Sequence, residues 1–261
     1  MSSYQTFDGI TLSYQAEGDG PPVLLLHGFA SDTEHEWQQP GTWRLLADAG
    51  YRCIGLDARG HGRSAKPRQP AAYADDAMAR DAICLLDHLA LRQAAIAGYS
   101  MGAAVALRVA LRAPARVQCL ILGGTTGSLI TQADPQAASR RERIAAALLA
   151  EDPDTIEDAT GRELRQFADT TRADRAALAA AQRAASRFGP PSDCSTIHAP
   201  ALVICGDRDV SPAELASILP LAQASVIPGD HISAVTAPQF GQELLRFLDP
   251  LIPRPAQTDG R

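Results

Sequence analysis

Short apolar runs alternate with segments of helical apolar spacing, and this alternation restricts the chain to very few folds. Four runs are mostly apolar and end at turn residues, namely 23–26, 51–56, 94–99 and 117–122. Such runs are typical of strands that are buried on both faces of a sheet. The segments between them that suit amphipathic helices are 44–49, 74–89 and 101–112. Strands that alternate with helices predict an α/β fold with a mostly parallel sheet.

The alternation is interrupted once. Residues 125–195 contain no convincing strand, and helical spacing is found at 137–150, 156–168 and 172–187. The pattern resumes with strands at 201–205 and 224–227 and with helices at 213–219 and 238–248. Near the N-terminus, the short strands 4–7 and 11–15 flank Asp8-Gly9, a dipeptide typical of hairpins. We therefore predict a core of residues 1–124 and 196–250, a helical insertion at 125–195 and a flexible tail at 251–261.

The composition argues against several classes of partner. The 261-residue chain is 46% hydrophobic and 21% charged, the balance of a globular protein. Its net charge of −6 argues against a nucleic-acid-binding surface, which needs clustered Lys and Arg. The most apolar stretch, 94–107, is too short to span a bilayer, and the N-terminus lacks the pattern of a secretory signal. We expect a small-molecule substrate and no membrane or nucleic-acid partner, and we leave homo-oligomers open.

The five cysteines bear on location and cofactors. Their number is odd, and no pair has the spacing of metal ligands. Cys53, Cys119 and Cys205 lie in apolar, strand-like runs, where a thiol packs as a small apolar group. These features favour a reducing, cytoplasmic location, and we expect neither a metal ion nor another cofactor.

The segment Gly98-Tyr99-Ser100-Met101-Gly102 fits the pattern G-x-S-x-G between a predicted strand and a predicted helix. Strand and helix pass closely at such a turn, and glycines at the flanking positions avoid clashes with a Cβ atom. The turn exposes the Ser100 hydroxyl above the carboxyl ends of the strands. It also puts the backbone N–H of Met101 at a helix N-terminus, where an oxyanion would form. The placement of the motif predicts that Ser100 is a nucleophile.

A nucleophilic serine needs a base, and the base needs a carboxylate that orients it. Two later strands end in residues of these kinds. The first leads into Gly206-Asp207-Arg208-Asp209 and the second into Pro228-Gly229-Asp230-His231. The order serine, aspartate, histidine is the one that accompanies the G-x-S-x-G turn. His231 is the predicted base, and Asp207 and Asp209 are both candidates for the acid.

Five segments, in this order along the chain, resemble motifs of the α/β-hydrolase family: LLLHGF, GLDARGHGRS, GYSMG, VICGDRDVSP and PGDHIS. The resemblance covers nearly the whole chain and implies a mostly parallel, eight-stranded sheet with a small helical cap. It also implies that Asp209, the second aspartate of G-D-x-D, is the acid of the triad. The second oxyanion donor would be the backbone N–H of Phe29, and Asp57 and His61 would be structural.

The same resemblance implies that the insertion 125–195 is a cap that covers the site and selects substrates. Phe167 and Phe188 stand out in it because the insertion has few aromatic side chains. We name both as candidates for substrate binding. The alternative is that the insertion is a purely structural lid.

The chain resembles small carboxylesterases and enol-lactone hydrolases in length and in its compact cap. The predicted function is therefore hydrolysis of an ester or lactone through Ser100, His231 and Asp209. Cofactor-free haloperoxidases or perhydrolases and C–C bond hydrolases use the same triad and remain alternatives. An epoxide hydrolase or dehalogenase with an aspartate nucleophile is disfavoured because residue 100 is serine. A non-catalytic, ligand-binding member of the family is a further and less favoured alternative.

Overall fold

The computed structural model describes residues 1–74, 76–127, 136–184 and 194–253. Its eight strands form one sheet in the order β1-β2-β4-β3-β5-β6-β7-β8. The strands are β1 (Ser2–Gln5), β2 (Thr11–Glu17), β3 (Pro22–Leu26), β4 (Arg52–Leu56), β5 (Ala94–Tyr99), β6 (Val117–Gly123), β7 (Ala201–Gly206) and β8 (Ala222–Ile227). The pairs β1–β2 and β2–β4 are antiparallel, and all other neighbours are parallel. The predicted α/β fold with a mostly parallel, eight-stranded sheet is confirmed.

The helices connect these strands and are numbered in chain order within the described residues. They are α1 (Thr42–Asp48), α2 (Ala77–His88), α3 (Met101–Arg112), α4 (Ala137–Leu149), α5 (Ala159–Thr170), α6 (Arg175–Arg183), α7 (Ala213–Ile218), α8 (Ser233–Thr236) and α9 (Pro238–Leu251). Shorter elements are a π-helix at Glu34–Gln38 and 3₁₀ turns at Pro70–Tyr73, Pro114–Arg116 and Pro153–Thr155. No helix of the described part of the chain has the length and apolarity needed to cross a membrane.

Two apolar layers cover the sheet, one on each face. Successive side chains of a strand point to opposite faces, and β3 shows the consequence. Leu24 and Leu26 pack in the layer that contains α2 and α3. Val23 and Leu25 pack in the opposite layer, with α1 and α9. Because both faces are covered, β3 is apolar at four consecutive positions, which is why it is recognisable in the sequence.

Among the described residues between β6 and β7, three helices, α4, α5 and α6, share an apolar cluster with Phe29 and Ala30. The last two begin three residues later than the sequence predicts, since aspartates cap them. The carboxylate of Asp158 accepts the N–H of Gly161 at 2.7 Å, and that of Asp174 accepts the N–H of Ala177 at 2.9 Å. A side-chain oxygen at this position satisfies an amide that has no partner within the helix. Apolar spacing alone does not locate the N-cap residue of a helix.

Other element boundaries also differ from expectation. The predicted helix 74–89 begins at Ala77, because a 3₁₀ turn precedes it and Asp76 adopts a left-handed conformation with φ 57°. The π-helix and α8 were not predicted. The predicted tail 251–261 begins in the last residue of α9, and from residue 254 onward it lies outside the described residues.

The parallel strands bring four loops to one edge of the sheet. Strands β3, β5, β7 and β8 run in the same direction, so the residues that follow their carboxyl ends meet there. These residues are His27, Ser100, Asp207 and Pro228. Ligands of open α/β sheets bind at this edge. It is therefore the place to look for a functional site.

Candidate active site

Ser100 occupies a sharp turn between β5 and α3. Its backbone has φ 52° and ψ −111°, a conformation that a residue with a side chain rarely adopts. Its N–H donates to the carbonyl of Gly123 at 2.8 Å, and its carbonyl accepts the first helical N–H, from Ala104. A Cβ on Gly98 would overlap the backbone of Gly102, so the close approach of strand and helix requires glycine.

His231 and Asp209 meet Ser100 across the edge of the sheet. The Ser100 Oγ lies 3.0 Å from Nε2 of His231. The Nδ1 of His231 lies 3.0 Å and 3.1 Å from the two carboxylate oxygens of Asp209. The Asp209 side chain is 5% exposed, whereas that of His231 is 43% exposed. A buried carboxylate therefore holds Nδ1 of a partly exposed imidazole, and the other ring nitrogen, Nε2, lies within hydrogen-bonding distance of the serine.

Asp207 has a different set of contacts. Its Oδ1 accepts the N–H of Gly229 at 2.9 Å, which ties the end of β7 to the loop after β8. The same loop is held by Tyr99, whose hydroxyl donates to the carbonyl of His231 at 2.8 Å. Burial raises the pKa of Tyr99, so this hydroxyl stays a donor. Asp207 and Tyr99 fix the loop that carries His231, and neither contacts the Ser100 hydroxyl.

The loop after β3, residues 27–31, lies beside Ser100, and we call it the β3 loop. A Cβ built on Gly28 would lie 3.6 Å from the Cβ of Ser100. The amide of Ala58 donates to Nε2 of His27 at 3.0 Å, so Nδ1 of His27 carries the proton and donates to the Gly28 carbonyl at 2.7 Å. Among the described residues, neither the N–H of Phe29 nor that of Met101 has a hydrogen-bond acceptor. Phe29, which follows Gly28, and Met101, which follows Ser100, thus each keep a backbone N–H without an acceptor.

The carboxyl group of Glu36 was missed in the sequence. It is buried, and its Oε1 accepts the N–H of Gly28 at 2.9 Å. Burial raises the pKa of Glu36, although the neighbouring His27 and His231 act in the opposite direction. Glu36 lies in the π-helix, where no periodic pattern separates a buried glutamate from an exposed one.

Asp57 and His61 lie behind this edge and serve the loops. Each carboxylate oxygen of Asp57 accepts one backbone N–H, from Thr33 at 3.0 Å and from Arg63 at 2.9 Å. The Nδ1 of His61 donates to the carbonyl of Arg59 at 3.0 Å. Burial lowers the pKa of His61 to about 3, so the ring is neutral at ordinary pH. These contacts agree with a structural role for both residues.

The cap candidates have different outcomes. Phe167, on α5, is partly buried and packs against the cluster that includes Leu178 and Ala30 of the β3 loop. Phe188 lies outside the described residues. Within the described ranges, no three His, Cys, Asp or Glu side chains are arranged to bind a metal ion. The described site thus consists of a serine, a histidine, an aspartate and backbone amides.

A mostly parallel sheet that carries a serine at such a strand-to-helix turn is the arrangement of an α/β hydrolase. A family model for the alpha/beta hydrolase fold matches residues 21–196, which is more than half of the chain. The chain belongs to this family.

Three similar proteins illustrate the range of the family. The chain is 33% identical over 243 residues to a dihydrolipoyllysine-residue acetyltransferase component of an acetoin cleaving system from Pseudomonas putida, a match that covers 88% of the chain and 64% of the relative. It is 38% identical over 113 residues to an epoxide hydrolase from Caballeronia sordidicola, with 43% of the chain and 33% of the relative covered. The chain thus spans less than two thirds of the length of either relative. The structure of a thermophilic esterase from Thermogutta terrifontis, with malate bound, superimposes with a TM-score of 0.80 and 26% identity over 97% of the chain and 100% of the esterase.

Proposed function

We propose that this protein is a serine hydrolase that cleaves a carboxylic ester or lactone bond of a small molecule. The observation that carries the proposal is the line of hydrogen bonds from Ser100 Oγ to His231 Nε2, at 3.0 Å, and from His231 Nδ1 to Asp209, at 3.0 Å. A nucleophile, a base and an orienting carboxylate within hydrogen-bonding distance are what acyl transfer through a covalent intermediate requires.

In the first half of the reaction, Ser100 Oγ attacks the carbonyl carbon while Nε2 of His231 takes its proton. The negative charge that forms on the carbonyl oxygen is stabilised by the N–H groups of Phe29 and Met101. Nδ1–H of His231 donates to Asp209, which keeps Nε2 free to accept the proton and stabilises the imidazolium that results. The imidazolium then protonates the departing alkoxide, and an acyl group remains on Ser100.

In the second half, water replaces the alcohol. Neutral His231 takes a proton from the water, whose oxygen attacks the acyl carbon in the same oxyanion site. Collapse of the tetrahedral intermediate returns the proton to Ser100 and releases the carboxylic acid. In a lactone, the alcohol and the acid are parts of one product. The steps need only groups that this chain supplies, together with water.

Two observations support an ester or lactone as the substrate class. The esterase that superimposes on 97% of the chain is similar to it along its whole length. The nucleophile position is a serine, whose ester intermediate is opened by water through attack at the acyl carbon. The similarity to an epoxide hydrolase covers less than half of the chain and supports the family alone.

The test is a covalent label combined with turnover. A fluorophosphonate should add once to the protein, and peptide mass mapping should locate the adduct at Ser100. Ser100→Ala should abolish the adduct and lower kcat for short p-nitrophenyl esters by about 10⁴- to 10⁶-fold. Ser217→Ala, a change of an exposed serine on α7, is the matched control and should leave both unchanged.

Three results would contradict the proposal. Retention of most activity in pure Ser100→Ala protein excludes Ser100 as the nucleophile. A labelled protein that hydrolyses no ester or lactone of the panel, but transfers an acyl group to hydrogen peroxide to form a peracid, or cleaves a C–C bond, assigns the triad to one of the alternative reactions. The absence of any adduct assigns the protein to the non-catalytic members of the family.

A further inference from the structure

Glu36 is a buried carboxyl group that the proposed reaction does not use. No lysine or arginine of the described residues forms an ion pair with it, and its exposed fraction is only 7%. A buried carboxyl group without a cationic partner is costly, so it is found where it satisfies a specific contact. The contact here is with the backbone N–H of Gly28, 2.9 Å from Oε1.

The position of Gly28 connects this contact with the nucleophile. A Cβ at Gly28 would lie 3.1 Å from Oε1 of Glu36 and 3.6 Å from the Cβ of Ser100. The carboxyl group and the nucleophile therefore flank the same residue. Gly28 lacks a side chain that would limit its backbone, so its orientation depends on what its polar groups contact.

The peptide that follows Gly28 is the one that carries the N–H of Phe29. Its carbonyl, on Gly28, accepts hydrogen bonds from Nδ1 of His27 at 2.7 Å and from the N–H of Ser31 at 3.3 Å. The preceding N–H, on Gly28, is held by Glu36. Contacts on both sides of the Gly28 Cα therefore determine how the free N–H of Phe29 is oriented.

We propose that Glu36 is a positioning residue of the oxyanion site, because its carboxyl group holds the N–H of Gly28 and thereby orients the N–H of Phe29 toward Ser100. The inference rests on the proposed function. What the role requires of Glu36 is an acceptor oxygen rather than a negative charge. Burial raises the pKa of Glu36. A glutamine supplies the same acceptor without the charge.

The experiment compares Glu36→Gln with Glu36→Met in the 261-residue chain. Glu36→Met fills a similar volume but accepts no hydrogen bond, so kcat for p-nitrophenyl acetate should fall about 10- to 100-fold with KM within about threefold. Glu36→Gln should keep kcat within about threefold of the parent. Glu34→Gln and Glu34→Met change an exposed glutamate of the same π-helix and should leave kcat unchanged. Thermal unfolding of each variant controls for stability.

The split between kcat and KM and the rescue by glutamine separate positioning from general support of the fold. If Glu36→Met does not fold, Glu36→Asp tests the same contact, since it withdraws the acceptor from Gly28 by one methylene and should lower kcat similarly. Folded Glu36→Met protein with the kcat of the parent would overturn the proposal. So would an equal loss in the methionine and glutamine variants, or a loss confined to KM. Fluorophosphonate labelling of the parent distinguishes these outcomes from failure of the proposed function. If the proposed function is wrong, the parent protein itself will form no adduct at Ser100.

Discussion

Asp207 and Asp209, the two aspartates after β7, offer a stringent test of the proposed mechanism. They are two residues apart in the chain, but their side chains contact different groups. Asp209 contacts Nδ1 of His231 with both carboxylate oxygens, at 3.0 Å and 3.1 Å. Asp207 contacts the N–H of Gly229 with one oxygen. Replacing each by asparagine changes one oxygen to an amide nitrogen with almost no change in volume. The two variants should therefore separate catalysis from loop structure.

In Asp209→Asn, either orientation of the new amide is damaging. If its NH₂ group faces His231, it donates to Nδ1 and leaves the ring proton on Nε2, where it blocks proton transfer from Ser100. If its oxygen faces the ring, the tautomer is correct, but the negative charge that stabilises the imidazolium is gone. The loss expected for such a change is about 10⁴-fold in kcat. In Asp207→Asn the amide oxygen still accepts the N–H of Gly229, so kcat should stay within about threefold and stability within about 1 kcal/mol.

The measurement is kcat for a short p-nitrophenyl ester with both purified variants and the parent. Urea unfolding should give similar midpoints for all three, which excludes misfolding as the cause of a loss. The slow step can be located by fluorophosphonate, which should label Asp209→Asn far more slowly than Asp207→Asn. If folded Asp207→Asn is the more impaired variant, the assignment of the acid to Asp209 is wrong.

Two further predictions concern the cap and the loop behind the site. Phe167→Ala should change kcat/KM for at least one acyl chain length by about fivefold or more, while fluorophosphonate still labels Ser100. Leu149→Ala, at an exposed position of α4, is the control and should leave kcat/KM unchanged. If the chain-length profiles of Phe167→Ala and the parent superimpose, the insertion is a structural cover only. The pKa of His61 falls from 6.5 in the unfolded chain to about 3 in the fold, so its contribution to stability is full above pH 6.5 and is lost as the pH falls toward 3. When the pH is lowered from 7 to 4, the free energy of unfolding measured by urea titration should therefore fall by about 3 kcal/mol less in His61→Asn than in the parent. An equal fall in both proteins would refute the neutral, buried histidine.

The fold could be anticipated because it rests on local patterns, and so could the meeting of the three triad candidates at one edge of the sheet. Strands such as β5 and β7 are buried on both faces, so they are apolar throughout and bounded by turns. The parallel arrangement then brings Ser100, Asp209 and His231 to one edge, whatever the intervening chain does. The choice of Asp209 over Asp207 came from the resemblance to a family, and it remains a prediction that the described contacts support.

The buried position of Glu36 and the conformation of the β3 loop could not be anticipated in this way. Glu36 is buried by packing between residues distant in sequence, and its contact with Gly28 depends on a π-helix that has no signature in composition or spacing. The same holds for Ala30, which is fully buried with φ 62° although alanine gives no sign of a left-handed conformation. Sequence patterns report periodicity and turn chemistry, whereas these features arise from tertiary contacts.

The β3 loop is held from two directions, by Glu36 and by a residue at the end of α5. On the core side, Glu36 accepts the N–H of Gly28. On the cap side, the hydroxyl of Thr171 donates to the carbonyl of Ala30 at 2.8 Å, and Ala30 packs in the cap cluster beside Phe29. A non-glycine residue with positive φ persists only when its surroundings hold it, and here part of those surroundings is the cap. Since Phe29 lies between Gly28 and Ala30 in the chain, we expect substitutions in α5 that disturb the contact of Thr171 to alter kcat as well as KM.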